Sequence, residues 1–323
     1  MREKRLIVIY ILEILHHYSS SKNRITIAQI ENYLEKEYNL QVHRNTLSVY
    51  INELRYSGYI EGERGVFLIR KFSDIEIKTL MDSVMFSKAI PEMDINNIIS
   101  KVKSMSNPES HKKYRNVYFI NSIEHTENKN VCRIIDIIDE AIEKEKKIEI
   151  TSCVYNINGK LIDKGTKIVD PYYIVLEKSR YYLICYTGRQ NDVEPKRIDR
   201  ISRVKILNQH RLDISGIKKY SEYPFDIAEY MREHIYMYSG KSERIMLKVK
   251  KENIGDVIDW YGKNYTLIET TDEEVVINIK ANINAVYFWA LQYGSVAEVV
   301  SPEYLRNKLI DGLENILLKY KKT

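Results

Sequence analysis

The chain has 323 residues, with 50 Lys or Arg, 45 Asp or Glu and a formal net charge of +5, which permits nucleic-acid binding without requiring it. Its length favours two or three domains over a single core. No apolar run reaches the roughly 20 residues of a membrane-spanning helix, and the charged start lacks a signal-peptide cleavage site. We therefore expect a cytoplasmic protein without a membrane partner. Cys132, Cys153 and Cys185 lack a close-set pair, which argues against disulfides and zinc and favours buried thiols.

The first 72 residues predict three short helices followed by a β-hairpin. Apolar residues recur at three- and four-residue spacing over residues 6–15, and a second helix follows Thr26, a candidate N-cap. Leu47, Ile51 and Leu54 give the third helix an inward stripe, and a glycine-containing stretch after it predicts the hairpin. This order is typical of a winged helix-turn-helix, in which the third helix enters the major groove of DNA.

The same segment resembles the winged-helix domains of bacterial transcriptional regulators. The match is carried by Arg44-Asn45-Thr46-Leu47, by Leu54 and by the exit Gly58-Tyr59-Ile60. The residues positioned off the buried stripe, and therefore the candidate DNA contacts, are His43, Arg44, Asn45, Thr46, Ser48, Val49 and Asn52, with Arg64 on the hairpin. Arg44 suits guanine or phosphate, and Asn45 suits an adenine edge.

The alternative for this segment is a winged helix that only packs against protein. Its 72 residues carry 11 Lys or Arg and 8 Asp or Glu, a net charge of only +3. Weak positive charge lowers the affinity for phosphate, so a dimer that engages two half-sites would strengthen DNA binding.

Residues 73–130 predict a helical connector. Ser73-Asp74-Ile75-Glu76 has the pattern of a capping box, Pro91 ends the first helix, and a second helix is expected over Ile95–Met105. Neither helix has a cluster of chemically active residues, so we interpret them as a connector and a candidate dimer contact. The polar segment that follows contains one apolar run, Val117–Ile120, which the pattern does not assign to an element.

Residues 131–146 predict an amphipathic helix, and a small antiparallel sheet is expected after it. Apolar and aromatic runs at 147–155, 170–176 and 180–186 are separated by short polar turns. Two arginines and an aspartate then interrupt the stretch 196–201. Because the buried face of a small sheet accommodates few charges, these side chains either face solvent or line a site.

These elements together resemble a WYL domain, a small Sm-like β-barrel named for a Trp-Tyr-Leu triplet. The residues that carry the resemblance are Ile148-Glu149-Ile150, Val169-Asp170-Pro171-Tyr172, Arg180-Tyr181-Tyr182-Leu183 and Lys196-Arg197-Ile198-Asp199-Arg200-Ile201. The triplet here is Tyr181-Tyr182-Leu183, and Lys196 stands where the family usually has an aromatic residue.

The resemblance implies a pocket for a negatively charged or nucleic-acid ligand at Tyr155, Tyr182, Arg197 and Arg200. A guanidinium pairs with phosphate through two hydrogen bonds and a tyrosine ring stacks on a base, so these types suit a nucleotide or a single strand. The alternative is that Arg197 pairs with Asp199 and only holds the barrel together.

Residues 211–323 predict a linker helix and a β-α-β-α-β-α domain. The stretches 289–294 and 302–306, Trp-Ala-Leu-Gln-Tyr-Gly and Pro-Glu-Tyr-Leu-Arg, resemble the C-terminal extension that often follows WYL domains. Trp260 and Trp289 are expected in its core.

The predicted fold class is therefore α+β and multidomain. Its parts are a winged helix-turn-helix over 1–72, a helical connector over 73–130, a WYL barrel of Sm/SH3-like type with its leading helix over 131–210, and a linker helix with a C-terminal α/β extension over 211–323.

The function implied is a ligand-responsive, DNA-binding transcriptional regulator, a repressor in preference to an activator. Its expected partners are double-stranded operator DNA, a nucleotide or single-stranded nucleic-acid effector and a second copy of the chain. No cofactor, metal or catalytic residue is expected. One alternative is an accessory module that modulates another nucleic-acid enzyme. The other is a nucleic-acid-processing enzyme, but the sequence offers no glycine-rich phosphate loop and no nucleophile with an evident base.

Overall fold

The chain is a mixed α+β protein with two compact units. The computed structural model describes residues 6–106, 125–189 and 191–321. The N-terminal unit is Met1–Thr126 and the C-terminal unit is Glu127–Thr323. Helices and antiparallel sheets occur in both units, so the predicted α+β multidomain class is confirmed. The apolar run Val117–Ile120 lies outside the described residues. Within those residues, no helix combines the length and the apolarity that crossing a bilayer requires.

The N-terminal unit begins with three helices and a two-stranded sheet. Their bounds are α1 Ile7–Tyr18, α2 Ile27–Tyr38, α3 Arg44–Tyr56, β1 Ile60–Glu61 and β2 Phe67–Leu68. Thr26 is the N-cap of α2 and forms a capping box with Gln29, so two backbone N–H groups at the helix start have side-chain acceptors. The apolar stripes of the three helices meet in one core, where Ile11, Ile30 and Leu47 are fully buried.

Two further helices complete the described part of this unit, α4 Asp74–Met85 and α5 Glu92–Ser104. Ser73 and Glu76 form the capping box of α4. The helix α5 begins directly after Pro91, which is its N-cap in an extended conformation, three residues earlier than the pattern predicted. The Nε2 atom of His16 lies 2.8 Å from the carbonyl oxygen of Ser104, which attaches the end of α5 to α1.

The C-terminal unit opens with α6 and a five-stranded antiparallel sheet. The bounds are α6 Val131–Glu143, β3 Lys146–Tyr155, β4 Leu161–Glu177, β5 Arg180–Tyr186, β6 Glu194–Arg197 and β7 Ile201–His210, and the strand order is β6-β5-β4-β3-β7. The isoleucines of α6 pack on the sheet, where Ile138, Ile148, Leu183 and Ile198 are fully buried. One strand, β4, is longer than predicted: its first half pairs with β3 and its second half with β5, and the register shifts next to Pro171, which has no N–H to donate.

The rest of the described part of this unit contains four α-helices and a four-stranded antiparallel sheet. The bounds are α7 Ile227–Glu233, β8 Ser242–Lys250, α8 Ile254–Tyr261, β9 Thr266–Thr270, β10 Glu274–Asn282, α9 Ile283–Tyr293, β11 Ala297–Ser301 and α10 Glu303–Lys321, and the strand order is β11-β8-β10-β9. The predicted order lacked β9, whose five residues are all exposed and show no alternation. Trp289 is fully buried in the core, as expected, whereas Trp260 is only half-buried.

Candidate functional site

The first candidate surface is the exposed side of α3. Leu47, Ile51 and Leu54 are buried against α1 and α2. Of the predicted DNA contacts, Ser48 is half-buried and the others are exposed, namely His43, Arg44, Asn45, Thr46, Val49, Asn52 and Arg64. The exposed residues that belong to α3 lie off its buried stripe, so α3 presents polar side chains to solvent.

Local hydrogen bonds fix the start of that face. A ring nitrogen of His43 accepts a hydrogen bond from the backbone N–H of Asn45 at 3.4 Å, which makes His43 the N-cap of α3. The hydroxyl of Ser48 donates to the carbonyl oxygen of Arg44 at 3.0 Å. The side chains of Arg44 and Asn45 have no hydrogen-bond partner among residues 6–106 or elsewhere in the described chain, so their donors and acceptors are available to a ligand.

Arg55 is a structural residue of this surface that the sequence reasoning missed. Its Nε and Nη2 atoms donate to the carbonyl oxygen of Gly62 at 3.2 and 3.0 Å, and its Nη1 donates to Asn52 at 2.7 Å. These bonds attach the hairpin turn to the last turn of α3. Gly62 has φ +112°, and a Cβ there would lie 2.1 Å from the carbonyl oxygen of Gly65, so the turn requires glycine.

The second candidate surface surrounds Asp199, a carboxylate that is only 2% exposed. Arg197 donates from Nε to one carboxylate oxygen at 3.0 Å and from Nη2 to the other at 2.6 Å. Arg180, at the start of β5, donates to the same carboxylate at 3.1 Å. Burial lowers the pKa of Arg197, but the hydrogen bonds and the negative charge of Asp199 outweigh this effect, so the pKa lies above its ordinary value.

The four predicted effector residues lie around this ion pair. Tyr182 is paired with Arg197 across strands β5 and β6, and burial raises the pKa of its hydroxyl. The guanidinium carbon of Arg200 lies 5.8 Å from the ring centroid of Tyr155, which is 40% exposed. The Nε of Arg200 is buried and has no hydrogen-bond partner among the described residues. The arrangement therefore contains the Arg197–Asp199 pair, which the sequence analysis left open as the structural alternative to ligand binding. Next to this pair, Arg200 has a buried donor without a hydrogen-bond partner among the described residues.

Arg180 was not among the predicted site residues, although it starts the segment that resembles the family triplet. Its role depends on Asp199, which is 19 positions away in the sequence. No periodicity signals such a long-range pair. The pairing of β5 with β6 brings the two together, because Tyr182 lies opposite Arg197 and the same antiparallel register continues to Arg180 and Asp199.

The β4–β5 hairpin contacts the C-terminal part of its unit through Lys178. Lys178 and Ser179 form a tight turn in the left-handed region, with φ +47° and +62°. The ammonium of Lys178 lies 3.0 Å from the ring centroid of Trp260 and 5.0 Å from that of Tyr236, a cation–π arrangement. Burial lowers the pKa of Lys178, and the charge of Glu177 opposes that shift.

The cysteines and acidic residues do not form a metal site in the part of the chain that the structure describes. No group of three or more His, Cys, Asp or Glu side chains there is arranged to hold an ion. Cys153 and Cys185 are buried, as expected, whereas Cys132 is exposed on α6.

Comparison with known proteins identifies the sheet. Residues 133–206 match the WYL domain family, so the chain contains a WYL domain. No curated protein matches the sequence.

Two solved structures are similar over nearly the whole chain. One is proteasome accessory factor B/C (PafBC) of Arthrobacter aurescens, with 12% identity, 97% of this chain and 48% of that chain covered, and a TM-score of 0.29. The other is described as a CRISPR Cas-related protein, with 15% identity, 98% of this chain and 85% of that chain covered, and a TM-score of 0.41. This chain therefore spans about half the length of the PafBC chain.

Proposed function

We propose that the protein is a ligand-responsive, DNA-binding transcriptional regulator. In this scheme α1–α3 and the β1–β2 hairpin form a winged helix-turn-helix over 1–72, joined by the 73–130 connector to a WYL barrel over 131–210 and an extension over 211–323. The observation that carries the proposal is the exposed polar face of α3, opposite its buried stripe. The WYL domain supports the regulatory part of the proposal.

The chemistry of α3 suits the major groove of double-stranded DNA. Arg44 and Asn45 stand at the first turn of the helix with unengaged side chains, and these residue types form paired hydrogen bonds with guanine and adenine edges. Arg64 on the hairpin is exposed and is our candidate for a phosphate contact. Because the net charge of residues 1–72 is only +3, we infer that a homodimer binds two half-sites about 34 Å apart, and that it represses by occupying an operator.

The WYL domain would hold the effector at Tyr155, Tyr182, Arg197 and Arg200. A phosphate there competes with Asp199 for the guanidinium of Arg197, and the exposed ring of Tyr155 offers a face for a base. A nucleotide or single-stranded nucleic acid fits both contacts. Binding that favours one arrangement of the dimer shifts its affinity for the operator.

The test is binding of the full chain to labelled duplex DNA from upstream of its own gene, against a scrambled duplex of equal composition. The double variant Arg44→Ala with Asn45→Ala is expected to lose the preference for the natural duplex, since each base contact contributes roughly 1–3 kcal/mol of discrimination. Asn97→Ala with Lys101→Ala is the matched control, because it removes one amide and one cation from exposed positions on α5. Equal, salt-sensitive binding to both duplexes by the unmodified chain contradicts the proposal.

A further inference from the structure

Asn52 belongs to the same exposed face of α3 as Asn45. At 100° per residue, Asn45, Val49 and Asn52 fall within an arc of about 60° on the helix surface. All three are exposed, and the buried stripe lies on the opposite side of the helix. At a rise of 1.5 Å per residue, Asn52 stands about 10 Å along the axis from Asn45. In a groove along which α3 lies, the two amides therefore face different base pairs.

A hydrogen bond from Arg55 fixes which end of the Asn52 amide is exposed. The Nη1 of Arg55 donates to the Oδ1 of Asn52 at 2.7 Å. A guanidinium has donors and no acceptor, so the reversed amide would bring two donors together. The positive charge of the guanidinium strengthens the bond to oxygen. The oxygen of Asn52 is therefore turned toward Arg55, and its Nδ2 has no hydrogen-bond partner among the residues that the structure describes.

Arg55 is itself held in place by the hairpin. Its Nε and Nη2 both donate to the carbonyl oxygen of Gly62, at 3.2 and 3.0 Å, and its side chain is half-buried. The two acceptors of the guanidinium thus lie on different elements, one in the hairpin turn and one on α3. The backbone of the turn therefore sets the position of the guanidinium, and the guanidinium sets the orientation of the amide.

The exposed end of Asn52 is a donor, which limits the bases that it suits. A free asparagine forms two hydrogen bonds with adenine, because its oxygen accepts from N6 while its nitrogen donates to N7. With the oxygen turned toward Arg55, only the bond to N7 remains. Guanine has two acceptors, N7 and O6, on its major-groove edge, whereas cytosine has only a donor there. The amide of Asn52 therefore fits guanine best and cytosine least.

We propose that Arg55 is a positioning residue that sets the base specificity of α3, because it presents Asn52 as a donor and so selects guanine. This inference deepens the proposed function and rests on it, since a base edge is read only if α3 enters the major groove. The side chain of Asn45 has no such partner in the described chain and keeps both its donor and its acceptor for adenine. Two asparagines on one helix face thus read different bases.

The experiment is selection of duplexes from a randomised library by the full chain, followed by sequencing. Asn52→Ala identifies the position that Asn52 reads, because it removes the base preference there alone. The unmodified chain is expected to favour guanine over adenine at that position. Arg55→Met frees the amide, so it is expected to lower the guanine-to-adenine ratio by roughly 2- to 10-fold, the effect of one hydrogen bond.

Two further variants separate the base contact from the fold of the hairpin. Arg24→Met is the matched control, because Arg24 lies over the ring of Phe67 on the same hairpin and the change removes the same charge. It should leave the guanine-to-adenine ratio unchanged. Asn52→Asp leaves the contacts of Arg55 with Gly62 in place. Its carboxylate offers only acceptors, so this variant should move the preference from guanine to cytosine.

Three results overturn the inference: adenine favoured by the unmodified chain at the Asn52 position, no position that responds to Asn52→Ala, or a ratio that Arg55→Met leaves unchanged. A uniform loss of affinity in Arg55→Met with an unchanged ratio is the result that a merely structural link to the hairpin would give. If the unmodified chain selects no sequence, the proposed function fails and this inference fails with it. Selection that is lost in Arg44→Ala with Asn45→Ala but insensitive to Arg55→Met overturns this inference alone.

Discussion

The ion pair at Asp199 gives a quantitative prediction for the WYL domain. Removing Arg197 deletes two hydrogen bonds to a carboxylate that is 2% exposed, whereas removing Arg180 deletes one. A buried charge that loses its partners costs about 3–5 kcal/mol. Because either arginine partly compensates for loss of the other, we expect about 1 kcal/mol for Arg180→Ala, about 2 kcal/mol for Arg197→Ala, and about 4–5 kcal/mol, more than the sum, for the double variant.

The assay is urea unfolding followed by tryptophan fluorescence. Both tryptophans of the sequence, Trp260 and Trp289, lie in the C-terminal unit, so the signal reports on the unit that contains Asp199. Arg203→Ala is the matched control, because its ion pair with Asp163 is exposed and such pairs contribute at most about 1 kcal/mol.

The result that refutes this reasoning is an Arg197→Ala variant no less stable than Arg203→Ala. Arg197 would then have no structural role, and its contact with Asp199 would carry no stabilisation. The double-variant cycle gives a second check. Strictly additive losses from Arg180→Ala and Arg197→Ala would show that the two arginines do not share one carboxylate, whereas sharing predicts a double loss larger than the sum.

Three further predictions concern titratable side chains. Replacing Asp199 with Asn should tighten binding of a labelled single-stranded oligonucleotide, because the arginines lose their anionic competitor; weaker binding in a fluorescence-anisotropy titration contradicts this. Replacing Lys178 with Met should shift the emission of Trp260 in a Trp289→Phe background, and an unchanged spectrum would show that the cation is not above the ring. Burial and the charge of Arg70 lower the pKa of His16, so the folded state binds its proton less well than the unfolded state does. Stability of the N-terminal unit should therefore fall as pH drops below about 6.5, and His16→Gln should flatten that slope in thermal melts followed by circular dichroism.

Hydrophobic periodicity was sufficient to predict the elements with one buried face and insufficient to predict the others. The stripe of Leu47, Ile51 and Leu54 predicted α3 because those positions meet a core. The continuity of β4 was missed, since its residues from 162 to 168 are exposed and polar or glycine over much of that length, and neighbouring strands rather than burial hold it extended. The strand β9 was missed for the same reason.

The residues of the candidate effector site were likewise only partly predictable from the sequence. The resemblance supplied Tyr155, Tyr182, Arg197 and Arg200, and the structure brings them together around Asp199. It did not supply Arg180, because a pair between residues 19 positions apart depends on the register between β5 and β6. A hydrogen bond of that kind follows from tertiary geometry, which a local pattern does not encode.

The β4–β5 hairpin links the candidate effector site to the C-terminal part of its unit. Arg180 reaches the carboxylate of Asp199, and Lys178, two residues earlier, lies over the ring of Trp260. Glu177 and Arg180 are paired across the turn, so one two-residue turn carries both contacts. We expect a ligand that moves the backbone at Arg180 to move Lys178 as well, because the two residues share this turn.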